Sequence, residues 1–214
     1  MHQTTYHRPS SIDEAAALFA KGSDAKYLAG GHTLLPVMKQ RLASPSDVIA
    51  HARIMDLVGI ESSGDTLTIK AATTYFAILS SADVKKAIPA LVSLTTVLGD
   101  PAVRYRGTIG GSIANNDPAA DYPAAVLALG ATVNTNKRKI AADEFFKGMY
   151  ETVLAADELI VSVSFPIPKK AAYVKFPNPA SRFALVGLFF AQTDRGVPAA
   201  VTGPPAGAHP SPST

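Results

Sequence analysis

Apolar positions change their spacing along the chain, and the changes predict a mixture of helices and strands. Between residues 12 and 21 they recur at helical spacing, behind a capping box formed by Ser11 and Glu14. The segments 25–29 (AKYLA) and 47–51 (DVIAH) are short and apolar, as is typical of strands. The first fifty residues therefore predict strands that alternate with helices.

The pattern changes near residue 57. Hairpins are predicted at 59–71 and 131–142, and a β-branched strand is predicted at 157–166. Helices are predicted at 34–43, capped by Thr33, at 82–98 with a restart at Pro89, and at 122–129 with Asp121 as N-cap. Residues 107–111 are predicted as a glycine loop. The fold class is α+β, with one lobe at 1–56 and a second at 57–168.

The last part of the chain has a different character. Residues 183–193 (FALVGLFFAQT) are apolar on both faces, which predicts a strand inside a sheet, and residues 197–202 can pair with it. Residues 204–214 include four prolines and no large apolar side chain, which predicts a disordered tail. We expect 169–203 to be a fragment of a third domain. The alternative is that its strand pairs with the second lobe.

Composition excludes several classes of protein. The 214 residues are 47% apolar and 17% charged, which is enough for a sizeable core. The basic clusters at 137–139 and 169–170 have no interleaved aromatics, so nucleic-acid binding is not expected. The chain has no cysteine, which excludes thiolate-bound iron–sulfur clusters and thiol nucleophiles. It has no apolar run of about 18 residues and no apolar signal core, so a cytoplasmic location without a transmembrane segment is expected.

Two glycine pairs stand in similar surroundings and carry the candidate chemistry. Adjacent glycines let successive backbone N–H groups point into one concavity, which suits anionic oxygens. A hydroxyl residue follows each pair, and two such loops could hold the two phosphates of a dinucleotide. The alternative is two tight turns without a ligand. The first motif is Ala29, Gly30, Gly31, His32 and Thr33, and the second is Thr108, Ile109, Gly110, Gly111 and Ser112.

Other common sites are absent from the sequence. It contains no P-loop, no G-x-G-x-x-G after a strand and no G-x-S-x-G elbow. The five histidines show no metal-ligand spacing, and no metal site is predicted. Asp117 and Asp121 follow the second motif and could accept hydrogen bonds from ribose hydroxyls or an adenine amine. The alternative is that these Asp side chains cap turns and the next helix.

The motifs AGGHTLLP and TIGGSIANNDPAAD resemble the FAD-binding medium subunit of molybdenum hydroxylases, of the carbon monoxide dehydrogenase and xanthine dehydrogenase type. DELIVSVSFPIP and KFPNPASRFALVGL are also similar to this family, and the resemblance covers about 4–202. It implies the two-lobed PCMH-type fold of vanillyl-alcohol oxidase and MurB-like proteins, with FAD between the lobes. The family continues past residue 203 with a complete C-terminal domain.

The resemblance also implies roles for single residues. Both glycine motifs would form the pyrophosphate clamp, Asp117 and Asp121 would hold the adenosine half, and Lys175 and the stretch around Phe183 would approach the flavin ring. His32 would be a loop residue rather than a site of covalent flavin attachment. No residue of this chain would be catalytic in acid–base terms, because the flavin supplies the redox chemistry.

The family works as an assembly, which implies partners. A large subunit carries the molybdenum cofactor, a small subunit carries two [2Fe–2S] clusters, and the medium subunit passes electrons from FAD to an external acceptor: quinone, NAD or oxygen. The substrate stays open. One alternative is a truncated, non-catalytic member that binds FAD weakly or not at all. Another is a stand-alone flavin oxidoreductase.

Overall fold

A computed structural model describes residues 1–194, 196–203 and 209–210. The described residues form three larger sheets, one in 1–56, one in 57–168 and one in 169–203 with residues 209–210, and a two-stranded sheet within 57–168. The segments 1–56, 57–168 and 169–203 remain our proposed units. The tail predicted at 204–214 lies outside the described residues, except for His209 and Pro210. Those two residues add a short strand to the third sheet.

The first sheet is parallel and has the strand order β1-β3-β2. Half of the predicted capping box is present. The Ser11 side chain accepts the Glu14 N–H, but the Glu14 carboxylate accepts from Ser10 instead of from the Ser11 N–H. Thr33 precedes the second helix but makes no side-chain cap, so that prediction was wrong. The elements are β1 (Thr5–His7), α1 (Ile12–Lys21), β2 (Ala25–Leu28), α2 (Leu34–Lys39) and β3 (Asp47–Ala50).

Six short helices connect the first and second hairpins of the second lobe. The predicted restart at Pro89 is confirmed, since this proline occupies the first turn of a new helix. A 3-10 helix at Met55–Leu57 precedes these elements. They are β4 (Ile60–Ser63), β5 (Thr66–Lys70), α3 (Tyr75–Ser80), α4 (Ala82–Ala87), α5 (Pro89–Thr96), α6 (Pro101–Arg106), α7 (Ile109–Asn115), α8 (Tyr122–Ala128), β6 (Thr132–Thr135) and β7 (Lys139–Ala141).

The second sheet is antiparallel, with the order β4-β5-β10-β6-β7. Its central strand, β10, is the β-branched strand that the sequence predicted. Its side chains Val163 and Phe165 belong to the main core beneath α3–α8. The remaining elements of this lobe are α9 (Ala142–Phe145), β8 (Phe146–Gly148), β9 (Glu151–Thr152) and β10 (Ile160–Pro166).

The third sheet consists of β11 (Lys170–Pro177), β12 (Ala184–Gln192), β13 (Ala199–Thr202) and β14 (His209–Pro210), in that order. The predicted pairing of β12 with residues 197–202 is present, and β11 is a second neighbour on its other edge that was not expected. It is not buried on both faces. One face packs into the main core, and the other forms an exposed surface that we call the open face: Val174, Phe176, Val186, Leu188 and Phe190.

Candidate functional site

The first glycine motif links the end of β2 to α2. Gly31 has a φ of +81°, a left-handed conformation that suits glycine. Within the described part of the chain, the backbone N–H groups of residues 30–33 donate no hydrogen bond. The side chains of His32 and Thr33 are exposed. This turn therefore offers several backbone donors in one place.

Gly30 sits against another part of the backbone. A Cβ atom on this residue would lie 2.0 Å from the carbonyl oxygen of Arg106 and 3.1 Å from the Cα of Gly107. On the same side, a Cβ on Gly111 would lie 3.5 Å from the Cβ of Ala29. The structure thus brings the two motifs together, although about eighty residues separate them in the sequence.

The second motif is not the loop that the sequence predicted. Thr108 is the N-cap of α7, and its Oγ1 accepts the Gly111 N–H at 3.1 Å. The N–H of Gly110 donates to the Ala71 carbonyl at 2.9 Å, and that of Ile109 donates to Thr73 at 3.3 Å. These donors are already used within the chain. The motif instead forms the first turn of α7, where Gly110 and Gly111 carry no side chain and leave the backbone uncovered.

Ser112 completes the second motif on α7. Its hydroxyl interacts with the Tyr75 phenol, whose pKa is raised to about 12, mainly by burial. The Tyr75 ring stacks on Tyr122, with centroids 5.4 Å apart. The same ring occupies the space beside Gly107, where a Cβ would lie 2.4 Å from the Tyr75 Cε2 atom. Ser112 is therefore tied to the packing of α3 against α8.

Asp117 caps a turn, which was the alternative to a contact with the cofactor. Its Oδ1 accepts the Ala119 N–H at 2.9 Å, which closes an Asx turn. The neighbouring Asn116 has a φ of 43° at the end of α7, and its side-chain amide donates to the carbonyls of Gly148 and Glu151. Asn116 thereby holds the β8–β9 hairpin against α7.

Asp121 and Lys175, two residues predicted to contact FAD, contact each other. The Lys175 ammonium lies 3.0 Å from the Asp121 carboxylate, and both side chains are almost fully buried. The Tyr173 hydroxyl donates to the same carboxylate. Burial raises the pKa of Asp121, against the opposing effects of Lys175 and Tyr173. This buried pair joins the third sheet to the start of α8.

These contacts correct one expectation for Asp121 and leave the other, a contact with adenosine, as a prediction. It makes no side-chain cap for α8, because its carboxylate points toward β11 instead. They also do not favour a contact with adenosine, because the group is buried and its oxygens have partners within the chain. Phe183 is half-exposed in the connection between β11 and β12, and its backbone hydrogen bonds stay within that turn.

Sequence reasoning missed His51. This residue follows β3, is only 6% exposed, and has a ring Nδ1 atom without a hydrogen-bond partner among the described residues. It lines a cavity of about 70 Å³ that also borders Gly110 and Gly111. The signal in the sequence was its position at the carboxyl end of a strand, next to a glycine motif on the neighbouring strand.

The described residues contain no cluster of His, Cys, Asp and Glu that could hold a metal ion. None of the helices in that part of the chain is long and apolar enough to cross a membrane.

Comparison with known proteins decides the family. Residues 2–168 match the family described as the FAD binding domain in molybdopterin dehydrogenase. The chain belongs to this family. The resemblance that the two motifs indicated is confirmed, and FAD is the cofactor that the family binds.

Two members of this FAD-binding family are medium subunits of multi-subunit enzymes that this chain resembles closely in sequence. The chain is 42% identical over 187 residues to the carbon monoxide dehydrogenase medium chain of Afipia carboxidovorans, covering 84% of this chain and 65% of that one. It is 37% identical over 188 residues to the nicotine 6-hydroxylase medium subunit of Paenarthrobacter nicotinovorans, covering 86% and 66%. The chain therefore spans about two thirds of the length of these relatives.

Solved structures confirm the α+β fold expected of the FAD-binding family. A carbon monoxide dehydrogenase structure from Hydrogenophaga pseudoflava matches 97% of this chain and 77% of the solved chain, with a TM-score of 0.91 and 37% identity. Quinoline 2-oxidoreductase from Pseudomonas putida 86 matches 97% and 76%, with a TM-score of 0.91 and 31% identity.

The geometry fits the family's cofactor. A pyrophosphate needs donors that are not already used, and the first motif has them at residues 30–33. It also needs close approach to the backbone, which the glycines at the start of α7 allow because they carry no side chain. The residues present are therefore suited to a dinucleotide that lies between the two motifs.

Proposed function

We propose that this chain is the FAD-binding, electron-transfer subunit of a molybdenum hydroxylase of the carbon monoxide or xanthine dehydrogenase type. In this role it takes electrons from [2Fe–2S] clusters of a partner subunit and passes them to an external acceptor, which is quinone, NAD or oxygen. Family membership supports the proposal, as do relatives named as medium chains of such enzymes.

One observation carries the proposal: the first motif, whose backbone N–H groups at residues 30–33 are unused within the described residues, lies beside the start of α7, where a Cβ on Gly111 would be 3.5 Å from the Cβ of Ala29. Two phosphates held there would accept hydrogen bonds from the first motif and lie against Gly110 and Gly111. Thr33 adds a hydroxyl donor, and Ala29 and His32 complete the turn. The second motif takes part mainly through its shape, because most of its N–H groups are already used.

Bound FAD would supply the redox chemistry, and the chain's own residues would position it and exclude water. The close approach of Gly30 to Arg106 fixes the first motif relative to α6. The stack of Tyr75 on Tyr122 fixes α3 relative to α8. Lys175 belongs to the buried pair that holds the third sheet in place. Phe183, which is half-exposed, stays a prediction for contact with the flavin ring.

The proposed partners are a large subunit with the molybdenum cofactor and a small subunit with the iron–sulfur clusters. The sequence supports this division of labour, because a chain without cysteine cannot hold such clusters through thiolates. The solved carbon monoxide dehydrogenase from Hydrogenophaga pseudoflava lacks the Mo-pyranopterin moiety of the molybdenum cofactor. Turnover of substrate is expected only in the assembly.

FAD titration of the purified chain tests the proposal. We expect saturable binding, which flavin fluorescence and the thermal shift of the protein would measure. Replacing Gly111 with Val should abolish it, because the new side chain would enter the space between Ala29 and Thr108. Gly148→Ala is the matched control, since its Cβ would meet nothing closer than 3.6 Å. A folded chain that takes up no FAD would contradict the proposal and favour the non-catalytic alternative.

A further inference from the structure

His51 lies at the carboxyl end of β3, the central strand of the first sheet, beside the point where the first glycine motif begins. Its backbone N–H donates to the carbonyl of Leu28 at 3.1 Å, so the ends of β2 and β3 lie side by side. The chain leaves β2 into the first glycine motif and leaves β3 into His51. Ligands of open parallel sheets bind outside the carboxyl ends of the strands, which is where this histidine stands.

One nitrogen of the buried imidazole has no hydrogen-bond partner among the residues described. Its Nδ1 is the buried side-chain nitrogen or oxygen atom that has no hydrogen-bond partner in the described part of the chain. Such atoms are rare in folded proteins and call for an explanation. The ring meets the edge of the Tyr27 ring, with centroids 5.8 Å apart, so packing holds it in place. A polar atom held firmly in a buried position is prepared for a partner that comes from outside the chain.

A small cavity supplies the place for that partner. Its volume is about 70 Å³, and it lies between the first sheet and the start of α7. One wall is the bare backbone of the second glycine motif, and His51 stands among the other walls. The lining residues are Tyr27, His51, Ala71, Gly110, Gly111, Ala114, Leu154, Glu158, Leu159 and Ile160.

We propose that the His51 imidazole is a binding residue that hydrogen-bonds to a hydroxyl group of the dinucleotide lying between the two glycine motifs. The inference rests on the proposed function, because the dinucleotide is FAD. It adds a buried side-chain contact from the first sheet to a clamp that consists mainly of backbone. Neither glycine motif includes this residue.

A hydroxyl fits this position better than a phosphate does. Burial lowers the pKa of His51 to about 4, against a smaller opposing effect of the Ile49 carbonyl, so the ring is neutral at pH 7. A neutral ring gives a phosphate no charge to pair with. Glu158 also borders the cavity, and its pKa of about 2 keeps it negative. A hydroxyl both donates and accepts, so it matches either tautomer of the ring.

The test compares His51→Phe and His51→Asn with the unmodified chain in titrations of FAD and two analogues. One analogue lacks the hydroxyls of the adenosine ribose, and the other lacks those of the ribityl chain. We expect His51→Phe to weaken FAD binding about fivefold, the usual scale of one hydrogen bond. His51→Asn should restore much of the loss, because an amide reaches the Nδ1 position.

The analogues separate a binding role from a packing role. His51→Phe should bind one of the two analogues as tightly as the unmodified chain does, and that analogue identifies the hydroxyl. An equal loss for FAD and both analogues would overturn the inference, as would unchanged FAD affinity. His7→Asn, in the same sheet but paired with Asp47, is the control for general destabilisation. An unmodified chain that fails to bind FAD would instead overturn the proposed function, and this inference with it.

Discussion

Individual glycines in this protein are needed for different reasons. Some adopt a backbone conformation that other residues rarely adopt, and others lie where a side chain has no room. Gly31 adopts a left-handed backbone conformation, whereas Gly30 lies where another segment of backbone leaves no room for a side chain. Gly110 is packed equally tightly, since a Cβ would lie 2.6 Å from the Cβ of Ala71. The pairs are therefore required by packing within the chain as well as by any ligand.

Gly30→Ala should push the first motif away from Arg106, because a carbonyl oxygen 2.0 Å from the new Cβ cannot be accommodated without movement. We expect FAD affinity to fall about tenfold or more, which corresponds to about 1.4 kcal/mol. Isothermal titration with FAD measures the change. Gly148→Ala should bind FAD as the unmodified chain does, and equal affinities for the two variants would contradict the prediction.

Asp121 illustrates what a sequence conceals at the scale of a residue. An aspartate before Tyr122 and Pro123 is a good candidate for an N-cap, and the neighbouring residues give no sign of an ion pair with a lysine. Its actual partner is Lys175, 54 residues later in the chain, and the carboxylate turns toward that ammonium. Partners that tertiary structure brings together at this separation leave no local signal.

At the scale of elements, local signals predicted most helices and hairpins. The Ser11 cap of α1, the restart at Pro89 and the alternating strands depend on neighbouring residues, and the structure confirms them. Sheet order depends on distant residues, and β10 pairs with β5 across about ninety residues. The start of α7 was mistaken for a loop, because glycine is a poor helix former. The Thr108 cap and the backbone hydrogen bonds to Ala71 and Thr73 hold this segment in place.

The pair formed by Lys175 and Asp121 joins β11 to α8, and removing one partner should weaken that junction. Lys175→Met leaves a buried carboxylate without its cation, so we expect a loss of about 3 kcal/mol in the free energy of unfolding. Denaturant unfolding measures it. The double variant Asp121→Asn with Lys175→Met should lose less. A double variant that is less stable than Lys175→Met would contradict this account.

The connection between β6 and β7 is tied to the residues before β10 by Arg138 and Glu158. The Arg138 guanidinium makes two hydrogen bonds to Glu158, each of 3.0 Å, and lowers the pKa of that carboxyl to about 2. A lowered pKa stabilises the fold above the unfolded value of about 4.3, and this contribution is lost as pH falls toward 2.

Glu158→Gln should therefore flatten the pH dependence of stability between about pH 4.3 and 2. We expect the variant to lose about 2 kcal/mol at pH 7 and less at pH 2.5, because the carboxyl of the unmodified chain is partly protonated there. Urea unfolding at the two pH values gives the comparison. A difference between the two proteins that does not change with pH would contradict the assignment.

At the scale of the whole molecule, the open face departs from the surface of most monomeric proteins, because it exposes several large apolar side chains side by side. Val174 and Phe176 are 64% and 66% exposed, beside the apolar side chains of β12. The register of the two strands pairs Val174 with Leu188 and Phe176 with Val186 across this face. An exposed apolar patch of this kind promotes association in solution.

Polar substitutions on the open face should reduce self-association without unfolding the protein. In the variant Val174→Thr with Val186→Thr, both strands keep β-branched residues, so we expect Tm to change by less than about 3 °C. Binding of a hydrophobic dye should fall, and sedimentation should show less association. Unchanged dye binding would mean that this face does not account for the exposed apolar surface.

The contacts at the end of β13 have a consequence for how the protein is made. The Thr202 hydroxyl lies within hydrogen-bond distance of the carbonyls of Pro118 and Ala120, and the Gly203 N–H donates to the Pro118 carbonyl. Phe189 and Ala200 fill the main core from the same sheet. Because a ribosome delivers residue 118 well before residue 202, the nascent chain holds an incomplete core for seconds, during which chaperones have access to it.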